Sequence, residues 1–596
     1  MAGSGLVVAT GLCSSRASRA QPAAPFIADV HCHTFNAHDI PIEGFLQGLA
    51  TGHGVPRFIV DLLKDPIAKL AQTAWSLAPD AAAEMLILSG LLGGGTPPAP
   101  ASSKALAAPT HDELISAAAA RARKLAPVSK VKHHPELKAL LAAEELDDGD
   151  LLGAVLQAQA KDDPELAAWL TANGAPKAKP FRLPAPGAAD FEKSFLVWSG
   201  GDSKGWLETA FDSVLEGLLG AVRFISRVAT SRLEITRQLA TVAPEISLFT
   251  PALVDFNIWA AGQSAHSSIA QQVEMQGTLS HLHALGKILP GNRAVSFHGY
   301  VPFNPYAESP NPRYAAIGGD PEDEFRRWDA DAPRLDGGPF DVVRAAIQEH
   351  GFIGVKIYPP NGFTVWNNAG LPSSHPLQRD TRRLIDLALR RLYRWCDEQR
   401  VPVLVHTGSS NLFAKQFAEF SRPDRWEPVL DRFKALHVCL GHFGGTSKSK
   451  VGDEGRYWVD LAGDLAHKYQ DRVWFDISDA QSPLPSQQMT RLVAALQRPG
   501  RDLRRHLIYG TDFFMNDLVT DPGEYLRSVA NQLGTDALFK DLGPEFPSWF
   551  FGDNAMAFLG LRNSSDGSIP EGSAPGNRKR LLAWYQGKGA PVPKWL

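Results

Sequence analysis

Phe26-Ile27-Ala28-Asp29-Val30-His31-Cys32-His33 is a short apolar run that ends in two histidines one residue apart. In an extended strand, residues i and i+2 share a face, so both imidazoles point the same way. Seven comparable runs follow: Ile246–Phe249, Ala294–Phe297, Ile353–Ile357, Val401–Val405, Val438–Leu440, Val473–Ile477 and Leu507–Tyr509. From the second onward, helical periods separate most of them. Thr381–Glu398, with Leu384, Leu387, Leu389 and Leu392 among arginines, is one example. Eight strands alternating with helices predict an α/β fold, a (β/α)8 barrel built of parallel βαβ units. An open doubly wound sheet is the competing arrangement.

A barrel needs only about 250 residues, and the chain has 596. The excess lies mainly between the first and second strands, at 47–245. That stretch reads as a mostly helical insertion, broken by Gly/Pro/Ala/Ser-rich segments at Gly93–Thr110 and Asn173–Ala189 that suit linkers. Within it, Trp206–Leu239 carries one apolar stripe through Leu207, Phe211, Val214, Leu218, Val222 and Ile225, expected as the first barrel helix behind an inserted subdomain at 47–200. The barrel itself is then discontinuous, 26–46 and 246–560, with a C-terminal tail at 561–596. Residues 1–25 read as a flexible extension of a cytoplasmic chain. A cleaved export signal is the alternative there, but no positive charge precedes the weakly apolar Gly5–Cys13.

A formal net charge of −4 excludes a basic nucleic-acid binder by bulk electrostatics. Cys13, Cys32, Cys396 and Cys439 are too widely spaced for a disulfide framework or a zinc finger. The longest uncharged stretch, Met85–Ser103, contains three successive glycines and three prolines and would not span a bilayer as a helix. The expected partner is a small-molecule substrate, with neither nucleic acid nor membrane; a homo-oligomer is compatible with the chain.

His-x-His alone is a weak signal. The other strand ends strengthen it: Lys356 inside Gly354-Val355-Lys356-Ile357-Tyr358, His406 in Val405-His406-Thr407-Gly408, His442 in Leu440-Gly441-His442-Phe443-Gly444-Gly445, and Asp512 in Tyr509-Gly510-Thr511-Asp512. Five such groups fall in order at the C-terminal ends of strands one, four, five, six and eight. In barrels, active sites sit at that end.

This order resembles the amidohydrolase superfamily, and Gly-His-Phe-Gly-Gly, Tyr-Gly-Thr-Asp and Asn554-Ala555-Met556-Ala557-Phe558-Leu559-Gly560 resemble its amidohydrolase-related branch. The resemblance covers 26–46 and 246–560. It implies one or two divalent ions, with Zn2+ expected, held by His31, His33 and Asp512. In one arrangement a carboxylated Lys356 bridges to a second ion on His406 and His442. In the other, which is the commoner in that branch, a single ion takes His31, His33, His406 and Asp512, and His442 stands outside as an acid/base or electrostatic group. Burial would lower the Lys356 pKa towards the neutral amine that carboxylation needs.

The resemblance further implies metal-dependent hydrolysis of a C–N or C–O bond in a small organic molecule. A divalent ion lowers the pKa of bound water towards about 7, Asp512 moves the proton, and the ion or His442 polarises the carbonyl. Zinc-dependent, non-redox decarboxylation of an aromatic or unsaturated acid is the alternative. A non-catalytic barrel whose insertion binds a partner is a third reading. Asn257, His298, Tyr358 and Trp366, at or just past strand ends, are expected to touch substrate. Asp29 and Asp476 are expected as supporting groups, and Cys32 on the opposite face is not counted as a ligand.

Overall fold

The computed structural model describes residues 26–42, 74–76, 78–93, 224, 227–256, 265–317, 321–408, 415–445, 447–449, 455–478, 487–513, 515, 522–535, 540–562 and 576–596. All eight expected strands form, displaced by up to two residues. β1 (Ala28–Cys32) pairs with β2 (Leu248–Pro251), and β2 with β3 (Ser296–Phe297), all parallel. A second parallel sheet runs β4 (Tyr300–Pro302), β5 (Gly354–Ile357), β6 (Val403–His406), β7 (Val438–Gly441), β8 (Val473–Asp476) and β9 (Leu507–Ile508), in sequence order. The ladder does not close. A parallel bridge between Ala252 and Tyr300 joins the two sheets. At the other seam the Val30 N–H donates to Tyr509 O at 3.1 Å and the Asp512 N–H to His31 O at 2.7 Å. The fold is α/β, eight parallel staves in (β/α)8 order.

The third stave differs from the reading by sequence. It does not end at Phe297. It is interrupted at His298-Gly299 and resumes as Tyr300–Pro302. A Cβ on Gly299 would lie 3.0 Å from Pro251 O and from the Phe352 ring, so a side chain there would press on both where the strand steps between its neighbours.

β1 carries a bulge: Asp29 pairs with Phe249 and Cys32 with Pro251, so three steps along β1 match two along β2. The side chains change sides there. Ala28 and Val30 pack with Leu248, Tyr300, Leu404, Trp474 and Ile508, whereas Cys32 packs in the separate main cluster. Strict alternation would have sent His31 and His33 to the face opposite Val30. The extra residue re-aims both.

The first barrel helix also departs from expectation. The stripe at Trp206–Leu239 is not one helix: Ser231 accepts from the Glu234 N–H at 3.1 Å and starts a new helix, Arg232–Val242, after a break at Ala229–Thr230. Residues 201–223, both linker segments apart from Gly93, and the N-terminal 25 residues lie outside the described residues.

The described part of the insertion is anchored to the barrel flank. Helix Ala81–Leu92 begins where Asp80 accepts from the Ala83 N–H at 2.8 Å. It buries Leu88 and Leu91 against Leu279 and Leu282 of helix Ile269–Ala284. Lys287 Nζ then donates to Leu91 O and Leu92 O at its C-terminal end, at 2.9 and 3.0 Å. Arg232 ties the pieces together, donating through Nε to Asp39 at 2.6 Å and through a terminal nitrogen to Glu84 at 2.5 Å, with all three side chains buried.

Residues 576–596, expected as part of a tail, close the base of the barrel. Helix Asn577–Gly587 and the last residue bring Leu581, Trp584, Tyr585 and Leu596 against Ala28, Leu248, Ile353 and Leu404, which lie at or near the strand starts. Asn577 Nδ2 donates to Ile353 O at 2.6 Å and to Leu559 O at 2.8 Å. No described helix is long and apolar enough to cross a membrane.

Candidate active site

The strand ends converge as the sequence order suggested. His31 and His33 follow the β1 bulge, Lys356 lies on β5, His406 ends β6, His442 follows β7 and Asp512 lies beyond β9. His33 Nε2 stands 3.0 Å from Asp512 Oδ1, and His31 Nε2 3.7 Å from the same oxygen. Lys356 Nζ donates to His31 Nε2 at 2.8 Å.

The outer nitrogens are occupied. His33 Nδ1 lies 2.7 Å from Ala252 O, and a carbonyl can only accept, so the proton sits on Nδ1. His31 Nδ1 is 3.2 Å from Asp476 Oδ2 and 2.7 Å from Ser478 Oγ. Both imidazoles therefore turn Nε2 inward, the usual orientation of a metal-ligating histidine whose other nitrogen is hydrogen-bonded. The His33 Nε2–Asp512 Oδ1 hydrogen bond of 3.0 Å spans the place that a cation between the two would take. His406 Nε2 is buried with no hydrogen-bond partner among the described residues, a second donor atom suited to a metal. His31, His33 and Asp512 form one group that could hold an ion; His31, His442 and Asp476 form another.

Protonation favours ligation. Burial, then the charge of Lys356, brings His31 down to about 3. Burial, with His442 and Lys356 alongside, holds His406 well below the ordinary histidine range. Burial lowers Lys356 to about 8, against the pull of Asp476 and Asp512. Burial works to raise Asp512, yet the His33 hydrogen bond and the surrounding imidazoles hold it below the usual carboxylate range.

His442 (φ 65°) and Asp512 (φ 54°) both adopt left-handed backbone. Such strain in non-glycine residues costs about 1–3 kcal/mol and clusters at functional sites. It is held by neighbours: the His442 N–H donates to Asp476 Oδ1 at 3.0 Å, and the Asp512 N–H to His31 O. Asp29 accepts from the Thr511 N–H at 3.1 Å and from Thr511 Oγ1 at 2.7 Å, fastening the segment that carries Asp512. Asp29 and Asp476 are thus supports, as expected. Ser478 and Thr511 escaped the reading, although Asp476 and Ser478 repeat the i, i+2 spacing that singled out His31 and His33.

Rings enclose the site. His33 meets Phe35 (5.5 Å between centroids), Phe35 meets Phe256 (6.2 Å), Phe256 meets Tyr358 (5.9 Å) and Tyr358 meets His406 (4.7 Å). His406 then meets His442 (4.7 Å), His442 meets His31 (4.8 Å) and His31 meets His33 (5.5 Å), completing a circuit. One arc is ligand-bearing and the other is apolar. Tyr358 lies in the apolar arc, against Phe256 and His406. Trp366 packs partly buried on the main core instead. His298 is a correction: Gly351 O and Tyr585 Oη occupy its ring nitrogens at 2.7 and 3.0 Å, and its ring faces Trp584 of the base-closing helix. The stave runs on past it, so it does not stand at a strand end. Asn257 lies outside the described residues.

Residues 273–561 match a family model described as amidohydrolase, which supports the resemblance to the amidohydrolase superfamily. The match begins within helix Ile269–Ala284, so β1 and its histidine pair precede it; folding brings them to the matched strand ends. No curated protein matches the chain. Among solved structures, the crystal structure of an amidohydrolase II is 15% identical, covering 55% of this chain and 88% of its own at a TM-score of 0.32. A TIM-barrel protein from Bordetella bronchiseptica is also 15% identical, covering 59% and 92% at a TM-score of 0.33. Likenesses of that size add nothing to the assignment.

Proposed function

We propose that the protein is a metal-dependent hydrolase cleaving a C–N or C–O bond of a small organic substrate. One observation carries the reading: His31 Nε2 and His33 Nε2 converge on Asp512 Oδ1, while Asp476 and Ala252 O pin the opposite nitrogens. His31, His33, His406 and Asp512 would hold a single divalent ion, with Zn2+ expected for this nitrogen and oxygen donor set. Such an ion supplies Lewis acidity and makes a water acidic near neutral pH. Asp512, kept ionised, accepts the water's proton and returns it to the leaving group. His442 serves as an acid/base group beside it. Lys356 keeps a positive end near the two carboxylates or, as a carbamate, would share a second ion with His406 and His442. The described helix of the insertion, Ala81–Leu92, packs on the flank of the barrel.

Elemental analysis of the purified chain should give about one or two transition-metal ions. A content near zero that metal-supplemented growth does not raise would refute the reading. Decarboxylation of an aromatic or unsaturated acid is the second reading, favoured by the apolar arc of Phe35, Phe256 and Tyr358 next to the ligands. Assaying the metal-loaded protein for CO2 release from aromatic acids, beside amide and lactone hydrolysis, separates the two.

A further inference from the structure

The hydroxyl of Ser478 touches three site groups at once. Oγ lies 2.7 Å from His31 Nδ1 and 3.0 Å from His442 Nδ1, and it donates to Asp476 Oδ1. A serine hydroxyl has one proton and two acceptor lone pairs, and this arrangement uses all three. The Ser478 carbonyl lies 3.1 Å from His442 Nδ1, and as a pure acceptor it requires the proton there. The Ser478 N–H donates to Asp476 Oδ1 at 3.0 Å, and the same oxygen receives the His442 N–H. Ser478 is fully buried and lies two residues past the end of β8, on a turn closed by Asp476.

We infer that Ser478 is a positioning residue that fixes the tautomer and ring orientation of His31 and His442 together, presenting both Nε2 atoms to the site as acceptors. One consequence follows for His442. With its proton on Nδ1, its Nε2 receives a proton or a cation and does not donate to a substrate carbonyl. A second follows for coupling: turning either ring breaks a contact of the hydroxyl that holds the other, so the two histidines act as a pair. The inference about the rings stands on contacts of the metal-free chain; its effect on metal binding rests on the hydrolase reading above.

The test is Ser478→Ala against Ser478→Thr, which keeps the hydroxyl. In metal-free protein labelled with 15N-histidine, His31 and His442 should give Nδ1–H signals protected from solvent exchange. Ser478→Ala should speed the exchange of both, and Ser478→Thr should restore protection. Nε2–H signals from either ring in the wild type, or exchange unchanged in Ser478→Ala, would overturn the inference. In chelator competition, Zn2+ affinity should fall about 10- to 100-fold in Ser478→Ala, and the visible spectrum of the Co2+-loaded protein should change. A purely structural serine would lower the melting temperature and leave exchange, affinity and spectrum as they were. Failure of the wild type to bind either ion would instead strike the hydrolase reading, while the exchange measurement still decides the role of Ser478.

Discussion

The two ends of the barrel put their polar groups to different uses. At the base, Asn577 spends both amide protons on Ile353 O and Leu559 O, and Tyr585 Oη joins His298 to Ser296 inside an apolar plug, where Trp584 Nε1 alone of these groups lacks a partner among the described residues. At the mouth, His406 Nε2 is buried without a hydrogen-bond partner among the described residues, and three non-glycine residues, His442, Phe443 and Asp512, hold left-handed backbone. A buried polar group left unpaired costs about 1–3 kcal/mol, so such groups persist where something other than stability keeps them. One end is built to be closed, and the other to receive.

That contrast can be broken by substitution. His31→Ala with His33→Ala should lower metal content from about one ion per chain to near zero and abolish turnover, with far-UV circular dichroism retained. Retention of the metal would show that the ligands lie elsewhere. Asp512→Asn keeps the shape and removes the charge, and kcat should fall about 10²- to 10⁴-fold. A variant within a few-fold of wild type would free Asp512 from proton transfer. At the base, Trp584→Ala should cost about 3–5 kcal/mol of stability and leave the metal content of the folded protein unchanged; urea unfolding and elemental analysis check both halves. Tyr585→Phe should cost only about 1 kcal/mol, and a change in metal affinity from that variant would contradict the separation of the two ends.

Much of the mouth was legible because its chemistry lies in side chains of rare type at the ends of apolar runs. Lys356, His406, His442 and Asp512 each interrupt a run that otherwise reads as core. Less legible were features in which backbone geometry overrides alternation. The β1 bulge reverses which face follows Val30, and the break at Gly299 extends a stave past His298, so a histidine that reads as a strand end belongs to the base. Ser478 was hidden for a different reason: its i, i+2 spacing from Asp476 is a weak signal for so common a residue type, and only the fold shows that its hydroxyl sits between two histidines. The C-terminal residues read as a tail because Leu581, Trp584, Tyr585 and Leu596 reveal an apolar purpose only against the strand starts they cover.

Arg232 has a consequence for anyone wishing to trim the chain to a minimal catalyst. Its guanidinium sits at the head of helix Arg232–Val242 and is shared by Asp39, on the segment leaving β1, and Glu84, from the insertion. Replacing Glu84 with alanine, or excising 47–200, would leave a buried charge network short of one acid, at about 3–5 kcal/mol. The strain would fall on the segment just beyond His31 and His33. Such a deletion variant should misfold or lose its metal for reasons unrelated to any role of the insertion over the substrate. Barrel and insertion thus share one buried charge, so a change at Glu84 in the one is felt at Asp39 in the other.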